Sequence, residues 1–457
     1  MLLLFFKKKG YLLSVLFTYT QMELKLAFTD KEITPWSGMV FMKKLLDQTG
    51  ILTKLIACDL PVQGSNRGYN PIQLITSFMV SVWCGANRFE HLEVSRFDEV
   101  LRRIFGYKRM AGHKAYQRYF RKFTIAINQK VFSKISQWFF SQIKLDNYTL
   151  DVDSTVMTRY GTQQGAKKGY NPKKRGRNSH HPLMAFVDEC KMVVNFWLRS
   201  GDAYTTNNFL SFLEDTFERM AGKCISLLRA DSGFYGKEVF EYLESKKTKY
   251  IIVARHYSTI QKKVAGIENW WNIDDGLQIA ETTYQSDTWE QPRRLIVVRQ
   301  HIQKRPKATG KQLKLFKEEG IYRNYRYSCY MTNLEFSPQV VWNMYKGRAD
   351  CENRIKELKS DFGFDNFNMQ DFAASEAALN FVIIAYNIMS LFKQAVLKSD
   401  KLHHLKTLRY KIFAIGGYIT KSGNQRILNL SLSMKRRKWI EGIWNESKNF
   451  SWPFVPT

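Results

Sequence analysis

Residues 345–359 read YKGRADCENRIKELK. At about 100° per residue, with Tyr345 at zero, Arg348 falls near 300°, Glu352 near 340° and Lys359 near 320°, so the four share roughly 60° of one helical face. A carboxylate in such a stripe can hold a metal, while the guanidinium, ammonium and phenol can grip a phosphate beside it. The same spacing also serves a solvated face of weakly paired charges. Ser337 as N-cap, Pro338 at the first helical position and Gly363 as a stop predict one helix carrying all four.

Two further stretches offer carboxylates where a sheet would present them. In LDVDST, Asp151 and Asp153 alternate onto one face of a strand; in LLRADSGFYG, Asp231 directly follows an apolar strand. Strand C-termini are where α/β proteins place binding groups, although acids also favour such positions for their backbone hydrogen bonds. With Glu352 they make a set of hard oxygen donors without a cysteine or histidine cluster, suited to Mg²⁺ or Mn²⁺. Two such ions can promote in-line displacement at a phosphodiester. His180 and His181 are adjacent on a strand and point to opposite faces, so at most one could join a shared site; a structural or DNA-contacting role is expected.

Composition agrees with a phosphodiester substrate. The 457 residues hold 70 Lys and Arg against 41 Asp and Glu, a formal charge of +29, which calls for a polyanionic partner. With 44% hydrophobic and 14% aromatic residues, the chain is a folded protein with a basic surface and not a disordered basic tail. Six scattered cysteines without C-x-x-C spacing indicate neither a zinc module nor a disulfide framework, and a reducing cytoplasm fits. The opening MLLLFFKKKGYLLSVLFTYT sets two short apolar runs around three lysines, unlike a signal peptide or membrane span. Residues 1–29 are read as an N-terminal extension, with Met22 a candidate start; no membrane association is expected.

These residues need elements to position them. Residues 30–145 read as helical, with apolar positions every three or four residues in MVFMKKLLDQTGILTKLI and PIQLITSFMVSVW. Within them RRIFGYKRMAGHKAYQRYFRKF interleaves basic and aromatic residues, suiting either a DNA-reading element or a basic helix pair over a core. Residues 146–256 run strand, strand, strand, helix, strand, helix, strand, compatible with a ribonuclease-H-like α/β sheet covered by helices. Residues 257–336, with RRLIVVRQ and YRYSCYMTNL, read as an inserted β-rich domain, after which 337–395 resume the core. Residues 396–457 form a basic C-terminal region, expected to be helical. In GAKKGYNPKKRGR, residues 165–177, Lys173, Lys174, Arg175 and Arg177 sit in a basic loop expected to contact phosphate.

Together LDVDST, LLRADSGFYG and YKGRADCENRIKELK resemble the DDE transposases of bacterial insertion sequences that bear a Y-x2-R-x3-E-x6-K signature. DSTVMTRYGTQQGAKKGYNPKKRGRNSHHPL is similar to the thirteen-eighty group, transposase DDE domain group 1. The resemblance implies that Asp153, Asp231 and Glu352 are the metal-binding triad for two Mg²⁺ or Mn²⁺ ions, with Asp151 the neighbour that shares Asp153's face. It implies that Tyr345, Arg348 and Lys359 hold the phosphate at a transposon end, and that an aromatic of the insertion, with Trp270, Trp271 and Trp289 as candidates, stacks on a flipped base. The implied partners are double-stranded DNA, as terminal inverted repeats and target, and a second copy of the chain on that DNA, with no small-molecule cofactor. The implied reaction is cut-and-paste transposition in the bacterial cytoplasm through nicking, a hairpin and strand transfer. A two-metal endonuclease without strand transfer and a non-catalytic DNA-binding relative are the alternatives.

Overall fold

The computed structural model describes residues 5–8, 11–14, 24–64, 68–145, 147–206, 208–301, 325–399 and 403–453. Much of the expected extension, including Met22, lies outside the described residues, as do 302–324 of the expected insertion. The chain divides into two compact units, Met1–Glu32 and Ile33–Thr457. The first contains an antiparallel pair, β1 (Phe5–Lys8) and β2 (Tyr11–Ser14).

The second unit begins with seven helices: α1 (Met39–Thr49), α2 (Ile51–Ile56), α3 (Pro71–Trp83), α4 (Leu92–Arg96), α5 (Glu99–Ile104), α6 (His113–Phe120) and α7 (Ile125–Ser141). Local chemistry sets their starts. The Asn70 side chain accepts from Ile72 N at 2.8 Å with Pro71 next in the helix, and Thr124 Oγ1 accepts from Ile127 N at 3.2 Å. The basic, aromatic-bearing segment turns its aromatics inward: Tyr116, Tyr119 and Phe120 are buried, whereas Lys114, Arg118, Arg121 and Lys122 are exposed.

The sheet follows with β3 (Tyr148–Ser154), β4 (Met157–Thr158), β5 (Lys167–Lys168), β6 (Asn178–His180), β7 (Leu183–Val187), β8 (Met192–Trp197), α8 (Phe209–Arg219), β9 (Ile225–Ala230), α9 (Lys237–Ser245) and β10 (Lys249–Val253). Next come α10 (Ser258–Ala265), β11 (Trp271–Asp274), β12 (Leu277–Tyr284), β13 (Arg293–His301) and β14 (Tyr325–Thr332). Nine of these strands form one sheet in the order β11-β12-β13-β14-β10-β9-β3-β7-β8. Strands β3, β7 and β8 are antiparallel neighbours, whereas β9 runs parallel to β3 and β10 parallel to β9. The β-prone residues after 257 extend this sheet, because β14 pairs antiparallel with β10.

Helices α11 (Pro338–Lys346), α12 (Ala349–Asp361) and α13 (Phe372–Phe392) come next. The segment Phe372–Leu397 is long and apolar enough to cross a membrane, yet 83% of its most apolar window is buried inside the fold. It serves as a core helix: Asn387 accepts from Val193 N at 2.9 Å and donates to Val193 O at 2.8 Å, and Trp83 Nε1 donates to Ala385 O at 3.0 Å. The chain ends with α14 (Leu405–Leu408), a hairpin of β15 (Gly417–Ser422) and β16 (Gln425–Leu430), and α15 (Met434–Lys448). A C-terminal region expected as helical thus contains a two-stranded sheet. Alternation in YITKS and a Gly423-Asn424 turn favour the strands there.

Candidate active site

Parallel pairing of β3 with β9 aligns Val152 with Ala230, so Asp153 and Asp231 follow side by side at the C-terminal ends of neighbouring strands. Asp153 is 8% exposed, and its Oδ1 accepts from Ser154 N at 2.8 Å. Asp231 turns the chain out of its strand, with Oδ1 accepting from Gly233 N at 2.8 Å.

The stripe is carried on two helices, not on the single helix expected. Arg229, two residues before Asp231 and on the same strand face, donates from Nη1 to Met344 O at 2.7 Å. That carbonyl would receive Arg348 N in an unbroken α-helix; Arg348 N donates to Tyr345 O at 2.9 Å instead. The ladder breaks at Gly347 and Arg348, leaving Tyr345 at the end of α11 and Glu352 in the first turn of α12.

Arg348 is the hub between the acids. Its Nη2 lies 3.2 Å from Asp153 Oδ2 and donates to Val152 O at 3.3 Å, and its Nη1 lies 3.8 Å from Glu352 Oε1. Burial pushes the Asp153 carboxyl up to about 6; Arg348 opposes the rise, while Asp231 and then Glu352 add to it. Arg348 is 5% exposed, and its Nε is buried with no hydrogen-bond partner among the described residues. Glu352 stands at the open side, its side chain 56% exposed. Burial raises the Tyr345 phenol, whose ring centre is 4.7 Å from that of Tyr330. Lys359 Nζ donates to Val156 O at 2.8 Å, and burial lowers its pKa.

The donor chemistry fits divalent cations. Three carboxylates stand on two neighbouring strand ends and one helix; burial, and after it the acidic neighbours, raises one of them, and a guanidinium supplies the compensating charge between two of them, although among the described residues the three do not bring their ligand atoms within 4.8 Å of one another. Asp151 is committed elsewhere: Arg229 Nε and Nη2 donate to its Oδ1 and Oδ2 at 2.6 and 2.7 Å, and Nη2 also lies 3.0 Å from Asp188 Oδ2. Sequence reading missed Arg229, although its signal was present. LDVD and RAD set opposite charges two residues before the two aspartates, and the parallel register pairs Asp151 with Arg229.

The remaining expectations divide. Lys173, Lys174, Arg175 and Arg177 are exposed on the loop between β5 and β6; Lys173 lies close enough to act on the Lys359 charge, and Lys174 bonds Tyr160 Oη with its ammonium 4.9 Å from that ring's centre. His180 receives Arg159 Nε at 3.0 Å and faces Gln164 O at 3.0 Å, and burial lowers its pKa to about 4. His181 is 3.0 Å from Ala203 O and 3.2 Å from Ser154 Oγ, and burial lowers it as well. Burial disfavours the charged form of both, and each is held by hydrogen-bond contacts within the fold. Trp289 is buried against Tyr235, Phe240 and Tyr284, Trp270 lies under the Arg299 guanidinium at 3.9 Å, and Trp271 is 51% exposed.

A second acidic group, Glu357, Asp361 and His404, brings three possible ligand atoms within 4.8 Å of one another. It lies on the other side of α12 and is already satisfied. Lys393 Nζ and Leu405 N reach Glu357 Oε1 at 2.8 and 2.9 Å, and Lys406 N donates to Asp361 Oδ2 at 3.1 Å. These carboxylates cap α14 and neutralise a buried lysine.

Sequence comparison with curated proteins finds no match. Among solved structures, a piggyBac transposase synaptic complex with hairpin DNA is similar at 13% identity, over 84% of this chain and 82% of that one, with a TM-score of 0.43. The family described as transposase DDE domain group 1 matches residues 18–449. With that match running over nearly the whole length, the chain belongs to the transposase DDE domain group 1 family.

Proposed function

We propose that the chain is a DNA transposase that moves a bacterial insertion sequence by cut-and-paste, with Asp153, Asp231 and Glu352 as its catalytic carboxylates. The observation that supports this most is the placement of Asp153 and Asp231 at adjacent strand ends, each one residue beyond the paired Val152 and Ala230, with Arg348 linking Asp153 to Glu352. The strand order β8-β7-β3-β9-β10, three antiparallel strands then two parallel ones, supports a ribonuclease-H-like core of residues 146–256 and 337–395. Residues 257–336 are the inserted β-rich part of this reading, 30–145 its DNA-binding helices and 396–457 its basic C-terminal region.

The three carboxylates would hold Mg²⁺ or Mn²⁺, two ions in the full site. When bound, such ions offset phosphate charge and increase the nucleophilicity of an attacking oxygen. Arg348, already buried between two acids with a free Nε, would turn donors toward the scissile phosphate, and Tyr345 and Lys359 would fix its other oxygens. Lys173, Lys174, Arg175 and Arg177 would follow the backbone beyond it. Water attacks phosphorus at the transposon end, and the 3′ oxygen leaves and is protonated. That hydroxyl then attacks the opposite strand, giving a hairpin; after water opens it, the same hydroxyl attacks target DNA. Every step exchanges one phosphorus–oxygen bond for another, so no covalent protein intermediate is needed. Two ends must be held together, which calls for a homodimer on DNA in the cytoplasm, associated with the nucleoid.

Incubation with labelled terminal inverted repeats, Mg²⁺ and a target plasmid tests the reading. Nicked ends, hairpins and joined products are expected. Cleavage without joining would leave a two-metal endonuclease, and binding without cleavage a non-catalytic relative.

A further inference from the structure

Residues 401–440 carry ten Lys and Arg and no Asp or Glu, and the middle of this stretch is the β15–β16 hairpin. That hairpin is a sheet of two strands only. A two-stranded ribbon alone is marginal in water, so its base matters. There Gly417 N donates to Thr34 O at 3.0 Å, Thr34 N donates to Gly417 O at 2.9 Å, and Ser431 N donates to Gly416 O at 2.7 Å. The contact is close: a Cβ on Gly417 would stand 2.2 Å from Ser37 Oγ. The ribbon is clamped at its root and bare at its tip, where residues 420–427 are exposed.

The tip is arranged against its own stability. Register sets Lys421 directly opposite Arg426, next to the two-residue turn at Gly423 and Asn424. Like charges facing each other across an antiparallel pair are destabilising, and both side chains are exposed in a stretch without Asp or Glu. Exposed Lys435, Arg437 and Lys438 at the start of α15 add to the same sign.

We infer that the β15–β16 ribbon is a DNA-contacting arm separate from the catalytic carboxylates, whose Lys421 and Arg426 settle on phosphates flanking a groove of duplex DNA. A two-stranded ribbon fits the major groove, and the polyanion relieves the repulsion that the free tip carries. The inference rests on the proposed action on DNA. Self-association through the exposed strand edges is the competing occupant, disfavoured because it would gather the cations of two tips.

The test uses the full chain and a labelled terminal-repeat duplex across a salt series, with K421Q/R426Q and K421E as variants. The double variant is expected to reduce the slope of log K against log salt by about 1.8, from two lost phosphate contacts. Its thermal stability should be unchanged or higher. K421E sets opposite charges across the ribbon, so it is expected to raise thermal stability while weakening DNA binding, which a purely structural ribbon would not do. Unchanged slope and affinity in both variants, with wild type binding and cleaving, overturns the arm. Loss of a dimer in sedimentation with the slope kept also overturns it, in favour of self-association. A wild type that fails to bind the duplex overturns the transposase reading itself.

Discussion

A Cβ on Gly347 would stand 2.6 Å from Nη1 of Arg229. The guanidinium cannot retreat easily, because Asp151 holds it through two bonds of 2.6 and 2.7 Å. Gly347 is therefore required for space and not for an unusual backbone, since its φ of −57° suits any residue. Gly347→Ala is expected to cost about 1–3 kcal/mol through overpacking. By shifting α12 it should also raise the Mg²⁺ concentration needed for half-maximal cleavage. Calorimetry together with a Mg²⁺ titration checks both; an unchanged Mg²⁺ requirement would mean that the break does not position Glu352.

Asp151 and Asp153 share a strand face but should fail in opposite ways. Asp151→Asn leaves Arg229 with a weakened buried partner and is expected to destabilise by up to about 3–5 kcal/mol. Asp153→Asn removes a carboxyl held at about 6 against an ordinary 3.8. The folded state binds the extra proton in that window, so metal-free stability falls as pH rises from about 4 to 6. Asp153→Asn should abolish that fall, on the order of 2–3 kcal/mol, while abolishing cleavage. Denaturant unfolding at pH 4.5 and 7.5 in chelator separates the two variants.

His180 gives the reverse pH dependence. It is 0% exposed and depressed to about 4, so it is neutral when folded, while the unfolded chain takes up a proton near 6.5. Its contribution is complete above 6.5 and is lost as pH falls toward 4. A His180→Gln variant, which keeps an acceptor toward Arg159, should flatten the stability profile across that window. A profile identical to wild type would mean that the histidine takes up its proton as readily in the fold as in the unfolded chain.

Glu357 and Asp361 should bind no ion. Glu357→Gln is expected to destabilise by about 3 kcal/mol, because Lys393 beside it is 8% exposed and would lose its counter-charge. Isothermal titration with Mn²⁺ should give the same number of sites as wild type; one site fewer would reassign the cluster.

Much of the site was legible because it rests on local patterns. Alternation set Asp151 and Asp153 on one face, an apolar run ended at Asp231, and helical spacing marked Glu352. The choice between Asp151 and Asp153 depends on Arg229, a cross-strand neighbour 78 residues away in sequence. The helix break was hidden for the same reason: Pro338 and Gly363 mark the ends of a helix, whereas the break comes from a distant guanidinium taking the Met344 carbonyl. The strands after residue 257 read as an inserted β-rich domain, and the sequence does not reveal that β14 joins them to the sheet by pairing with β10. The C-terminal hairpin was overlooked because charge and aromatics, not alternation, dominated the reading of that segment.

The most direct test compares Asp153→Asn, Asp231→Asn and Glu352→Gln with wild type in Mg²⁺-dependent cleavage of a terminal-repeat duplex, with binding measured in the same mixtures. Each substitution is expected to lower the cleavage rate by at least about 100-fold, as for loss of a group that acts on the transition state, with duplex affinity kept within a few-fold. Cleavage at the wild-type rate by any of the three would contradict their assignment as one catalytic site.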